Sequence, residues 1–175
     1  GVDDQLELAS LLGSDMFAAD EANFFVVQKQ SAAKDLNATF YWSVSASNRV
    51  VLHLSQSDSL VFDFPSTGGT GRFTVVQPTG WDDAFHITEA FRATTQAVEL
   101  KVDNTLIGSG TRSATLGTGS TTTLYIGASS GGSYNFQGDI AEILVFKRGL
   151  AATERDKVTC YLSKKYAIAV SATCD

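Results

Sequence analysis

The 175-residue chain is poor in cysteine and histidine, with two of each: Cys160, Cys174, His53 and His86. No CxxC or HxxxH spacing occurs. Zinc sites are built on such spacings, so zinc is disfavoured. Long apolar runs are also missing. None approaches the roughly 20 residues of a membrane-spanning helix, so no membrane insertion is expected. Cations are the minority, with 13 Lys and Arg against 19 Asp and Glu, for a net charge of −6. A surface of that sign repels a phosphate backbone, which argues against nucleic acid. It suits Ca²⁺ and an extracellular setting. The start of the chain carries no secretory leader pattern, as expected of a mature chain or an excised domain.

The length suits a single domain over residues 1–175. Its 43% hydrophobic content is enough to bury a core without help from metal or disulfide. Both cysteines fall near the C-terminus. A Cys160–Cys174 bridge is expected there, because it would pin a chain end that otherwise frays. Closing so short a loop stabilises by about 3 kcal/mol through chain entropy. A bridge also points to an oxidising compartment, hence to a secreted or cell-surface protein.

What the chain has in abundance is short β-type runs cut by Gly, Ser, Thr and Asn. The expected strands are Leu6–Leu12, Asn23–Lys29, Ala38–Val44, Val50–Leu54, Ser59–Phe64, Gly71–Val76, Phe85–Arg92, Ala97–Val102, Thr105–Gly108, Thr122–Gly127 and Asp139–Lys147. Val98, Leu100 and Val102 alternate with Glu99, Lys101 and Asp103, which reads as one core face and one solvated face. Phe24–Val27 and Ile143–Phe146 are apolar at every position and suit central strands covered on both sides. Asp103-Asn104 is a tight hairpin turn. The Gly/Ser/Thr stretch Ser109–Thr123 reads as a long surface loop or a short edge strand. One helix is expected from Glu154 to Tyr166, with Val158, Tyr161, Leu162 and Tyr166 on one stripe. Glu154 in its first turn and Lys164-Lys165 in its last suit the helix dipole. Eleven strands with no βα alternation predict an all-β, two-sheet antiparallel sandwich with one short C-terminal helix.

The C-terminal half carries a recognisable order of pieces: Leu124-Tyr125-Ile126-Gly127, then Phe136-Gln137-Gly138-Asp139-Ile140-Ala141-Glu142-Ile143-Leu144-Val145-Phe146, Arg148-Gly149-Leu150, Glu154-Arg155 and Tyr161-Leu162-Ser163-Lys164-Lys165-Tyr166. It resembles the end of bacterial laminin-G-like, concanavalin-A-like jelly-roll domains. Phe24–Val27, Leu52–Asp58, Val61–Phe64, Phe85–Arg92 and Val98–Asp103 extend the likeness over most of the chain. The chain departs from that pattern at Ser55-Gln56, where Pro-Trp is usual, at Asn104 for a turn Gly, and at Ala151 for a capping Ser. Thr153 is left as a cap one turn later. The resemblance implies a jelly roll, and the lost Trp puts any shared ligand contact at that loop in question.

Enzymes of this fold that cleave polysaccharides resemble one another in a Glu-x-Asp-x-Glu strand, whose spacing aims the carboxylates into one cleft. The chain has no such strand. Gly127-Ala128-Ser129-Ser130-Gly131 matches Gly-x-Ser-x-Gly, but a nucleophile elbow leads into a helix and this stretch leads into more loop. Asn37-Ala38-Thr39 is a glycosylation sequon, taken as chance. Ca²⁺ is the one cofactor the loops suggest, since Asp and Asn side chains and carbonyls supply its oxygens. Asp82, Asp83, Asp58 and Asp139 are the candidate ligands, with Asp63, Asn104 and Asn135 also near strand ends. Sugar binding needs an aromatic plane beside polar groups. The candidates are Trp81, Tyr134, Trp42, Tyr41 and Phe136, with Arg72 and His53 as polar partners. Within the pair Tyr41 and Trp42, one side chain is core and the other faces outward. Trp81 follows Thr79-Gly80 in a loop, a placement that favours function.

These residues point to a non-catalytic carbohydrate-binding module of a larger secreted or surface protein, with a polysaccharide or cell-surface glycan as partner. The alternative is an extracellular adhesion or protein-interaction domain. A polysaccharide-cleaving enzyme is the third reading.

Overall fold

A computed structural model describes residues 5–31 and 37–174. Eleven strands and two helices follow one another along the chain. They are β1 (Leu6–Leu12), α1 (Gly13–Met16), β2 (Ala22–Gln30), β3 (Asn37–Ser45), β4 (Asn48–Ser55), β5 (Ser59–Asp63), β6 (Arg72–Val76), β7 (Phe85–Arg92), β8 (Ala97–Val102), β9 (Thr105–Thr111), β10 (Thr121–Ile126), β11 (Gly138–Phe146) and α2 (Ala152–Tyr166). The strands form two antiparallel sheets, a six-stranded one in the order β1-β10-β3-β4-β5-β6 and a five-stranded one in the order β11-β2-β7-β8-β9. This is the two-sheet sandwich that the strand pattern predicted and the jelly roll that the resemblance implied.

Period-2 alternation builds the core. Phe40, Trp42, Val50, Leu52, Leu60 and Phe62 of one sheet meet Phe24, Val26, Ala90, Val98 and Leu100 of the other. Phe17, from the α1–β2 connection, packs edge-on to Phe40, Trp42 and Phe64. A second apolar layer lies outside the five-stranded sheet. There Leu150, Leu162 and Ile168 cover Phe25, Val27 and Ile87, so β2 is buried on both faces.

The Cys160–Cys174 disulfide ties the middle of α2 to the tail, as expected. Asp103 and Asn104 both adopt positive φ, 49° and 65°, the backbone of a tight hairpin turn.

Four expectations need correcting. Ile143–Phe146 belongs to an edge strand, not a central one; its apolar faces are met by the core and by the layer under α2. β9 runs on to Thr111, which shortens the expected 109–123 loop. The Glu99–Lys101–Asp103 face is not simply solvated: Arg155 of α2 pairs with both Glu99 and the buried Glu89. Finally, Thr153 is not the cap. The Ala151 N–H donates to the Glu154 carboxylate at 2.9 Å, which supplies the reciprocal half of a capping box from the third helical position.

Candidate functional site

On the outside of the six-stranded sheet, alternation sets out a polar surface. Phe40 and Trp42 point inward, so Tyr41 points outward. By the same rule Arg49, Val51 and His53 leave the outer face of β4, Val61 and Asp63 that of β5, Arg72 that of β6 and Tyr125 that of β10. Strand register aligns Tyr125, Tyr41, Val51, Asp63 and Arg72 into one row across five strands. Arg49, paired with Ser43, flanks the row on one side. His53, paired with Val61, flanks it on the other. The long helix α2 lies on the opposite side of the sandwich, against the other sheet.

Asp63 organises the cluster. Its carboxylate is fully buried and takes a two-pronged contact from Arg72, Nε to Oδ1 at 2.6 Å and Nη2 to Oδ2 at 2.8 Å. The Arg49 Nε approaches Oδ2 at 3.1 Å. One buried anion therefore fixes two guanidinium groups in place. Hydrogen bonding to Asp63 holds the Arg72 pKa above its usual value, against the opposing effect of burial. The Arg49 guanidinium also lies 5.1 Å from the Tyr41 ring centre, a cation–π contact. Tyr41 in turn meets the Tyr125 ring edge-on at 6.4 Å.

His53 completes the base of the cluster. Its Nε2 lies 3.4 Å from Arg49 Nη2. Burial drives its pKa down from 6.5 to about 4, with Asp63 pulling it up and both arginines pushing it further down. The ring is neutral at physiological pH. Tyr134 sits above it, its ring edge-on at 5.8 Å. The Tyr134 carbonyl accepts the Ala38 N–H at 2.9 Å, which ties the β10–β11 loop to β3. Tyr134 is 39% exposed, the most open aromatic of the group.

Four of the aromatic and polar candidates read from the sequence, Tyr134, Tyr41, Arg72 and His53, thus meet in one place. Trp42 and Trp81 do not join them. Trp42 is core, with its indole N–H on the Leu11 carbonyl. Trp81 is buried, stacked on His86 at 4.9 Å and bonded to Gln30; its loop position does not leave it exposed. Phe136 is half-buried and lines a hollow with Leu6, Ile126 and Ile140. Arg49, Tyr125 and Asp63 complete the cluster without having been singled out for sugar binding. The signal for them was the alternation with the core residues Val50, Leu124 and Phe62.

The candidate calcium ligands are scattered. Asp82 bonds Gln30, Asp139 pairs with Lys29, and Asp58 and Asp83 are exposed residues of positive φ. Among the described residues no three His, Cys, Asp or Glu side chains converge on one point. This donor set does not make a Ca²⁺ cage, which needs six to eight oxygens.

The cluster offers hydrogen-bond donors and aromatic edges, with one carboxylate that both arginines engage. Two carboxylates, Glu89 and Glu99, do converge on Arg155, but beneath α2 on the other sheet. Ser129 of the Gly-x-Ser-x-Gly stretch donates its hydroxyl to the Ser133 carbonyl at 2.6 Å and is followed by a single 3-10 turn at Ser130–Gly132, not the helix an elbow requires. Asn37 of the sequon is fully buried.

Known structures share this architecture at low identity. A carbohydrate-binding module (CBM40) of a Ruminococcus gnavus sialidase, bound to α2,3 sialyllactose, matches with a TM-score of 0.63 and 14% identity, over 88% of this chain and 98% of its own. Domain 4 of an extracellular arabinanase from Geobacillus stearothermophilus, in complex with arabinotriose, matches with 0.64 and 16%, over 86% of this chain and 69% of its own. Mouse laminin α1 chain domains LG4-5 match with 0.61 and 17%, over 86% and 41%. Likeness at these identities establishes the fold. No functionally curated protein shows significant sequence similarity to the chain. The family model Laminin_G_3, of the concanavalin A-like lectin/glucanases superfamily, matches residues 25–154, and the chain belongs to that superfamily.

Proposed function

We propose that the protein is a non-catalytic glycan-binding module that holds its ligand on the outer face of the six-stranded sheet. One observation carries this reading: Tyr134, His53, Arg72, Asp63, Arg49, Tyr41 and Tyr125 gather on the sheet face opposite the one α2 packs against. Aromatic rings offer surface to the apolar faces of sugars, and fixed guanidinium groups offer paired donors to their oxygens. The strands hold all of these groups but Tyr134 in place before any ligand arrives, which lowers the entropy lost on binding. Hydrolysis would require two carboxylates on either side of a scissile bond; both arginines already engage Asp63, and Glu7, the other carboxylate of the row among the described residues, stands on β1 at the far end of the sheet. The binding of sialyllactose and arabinotriose by the structurally similar modules supports the class of ligand. The disulfide supports an oxidising, secreted or surface location, and a place in a larger multidomain chain is part of the same reading.

A panel of neutral and acidic polysaccharides in affinity electrophoresis tests the proposal. Retardation by at least one glycan, lost in Tyr134→Ala and Tyr41→Ala variants of unchanged thermal stability, is the expected result. Migration unaffected by every glycan would overturn it in favour of an adhesion or protein-interaction domain. Retardation that survives both substitutions would move the site elsewhere.

A further inference from the structure

The outer-face cluster holds more positive charge than its own carboxylate requires. Asp63 is a single anion, and the two-pronged contact from Arg72 already balances it. Arg49 is a second cation in the same spot, its side chain only 11% exposed. His53, its pKa lowered by burial, adds no charge at neutral pH. The group therefore carries a net charge of +1 in a chain of −6. Glu7 shares the row but lies beyond Tyr125, Tyr41 and Val51, four strands from Asp63. A half-buried cation without its own counter-ion is unfavourable, since it has lost water without gaining a full partner.

The spent donors show what remains. Arg72 donates Nε and Nη2 to Asp63, whereas Arg49 pairs with Asp63 by charge alone, its Nε 3.1 Å from Oδ2 without a hydrogen bond, and sets Nη2 beside His53. Nη1 of each arginine has no hydrogen-bond partner among the described residues. Asp63 thus spends one edge of Arg72 and holds Arg49 by charge, and leaves a donor of each guanidinium for a ligand.

Resting on the glycan-binding reading, we infer that the preferred ligand is an anionic glycan whose acidic group, a carboxylate or a sulfate, is taken by the Arg49–Arg72 pair. The uncharged remainder of the sugar lies against Tyr134 and Tyr41. An acidic group here completes the neutralisation that Asp63 leaves half done.

The test uses the whole chain with polygalacturonate as the carboxylate probe, a sulfated galactan as the sulfate probe, and the carboxyl-reduced and desulfated forms of each as controls. Binding of an acidic polymer is expected to weaken about tenfold or more when its charge is removed chemically, because a charge-assisted hydrogen bond is lost. It is also expected to weaken as salt rises. Whichever of the two polymers binds identifies the acidic group. Arg49→Gln and Arg72→Gln should lower affinity to a similar degree, and the polymer controls hold even if either variant unfolds. Equal, salt-insensitive binding of a charged polymer and its neutral form would overturn the inference and leave glycan binding standing. Binding of no glycan at all would overturn both.

Discussion

Acidification is expected to destabilise the fold through His53, in a window that its surroundings define. The ring is 2% exposed. Asp63, Arg49, Arg72 and Tyr134 are the charged and titratable groups around it. Burial is the main reason its pKa falls from 6.5 to about 4. Above pH 6.5 the ring is neutral in both states and takes nothing from stability. Between pH 6.5 and about 4 the unfolded chain binds a proton that the fold refuses, so stability falls as pH falls. Below about pH 4 both states are protonated and the loss levels off at about 3 kcal/mol. The assay is urea unfolding across this pH range for the native chain and for His53→Gln, which keeps a neutral polar group in place. The Glu154 carboxyl, held down to about 2 by its fork with Arg148 and by the Ala151 N–H, titrates in both proteins and cancels from the difference. That difference should be flat above pH 7 and fall steadily below 6.5. Parallel stability curves for the two proteins would refute the reasoning, as would a His53 ring that titrates in NMR near its ordinary value.

Further consequences concern the scaffold. Arg155→Met leaves Glu89 buried with only Asn23 and a 3.9 Å approach from Lys101, and should cost about 3–5 kcal/mol in urea unfolding. The double variant Glu89→Leu/Arg155→Met should recover most of that loss. Gly138 has φ +149°, and a Cβ there would run into the Lys29 carbonyl across the β2–β11 pairing. Gly138→Ala should therefore lower stability by about 3 kcal/mol or more, read from the denaturant midpoint. Reducing the Cys160–Cys174 bridge, or replacing both with Ser, should remove about 3 kcal/mol of chain-entropy stabilisation. Thermal unfolding with and without reductant measures it.

Much of the fold was legible because each strand writes its pattern locally. Val98, Leu100 and Val102 alternate with charged residues, and each of the eleven strands overlaps a β-type run expected between turn signals. What local pattern does not encode is neighbourhood. Nothing in the sequence places β10 between β1 and β3, yet that insertion brings Tyr125 beside Tyr41. Arg49 stands one residue before the expected start of its strand and so was not assigned a face. Asp63 read as one of several oxygen donors near strand ends, where an acid usually meets water; two arginines from neighbouring strands make its burial tolerable. Trp81 misled for the opposite reason. A loop position predicts exposure only if nothing folds over it, and His86, five residues on, supplies a stacking partner.

The two outer faces of the sandwich solve the same problem differently. Each sheet has one face in the core and must do something with the other. The five-stranded sheet covers its outer face with α2 and spends its charges on that contact, with Arg155 tying Glu89 and Glu99 to the helix. The six-stranded sheet spends its charges within the face itself, through Asp63. A charge network under a helix is a fastening, because Arg155 bridges Glu89 and Glu99 across the helix–sheet contact. The Asp63 network leaves an edge of each arginine unspent and flanks them with Tyr134, so its polar capacity is only half used. Rigid strands carry the charged part of this site and a loop carries its most exposed ring. Changes in the β10–β11 loop should therefore alter which sugars are accepted, while the preference for an acidic group should persist as long as Arg49, Asp63 and Arg72 do.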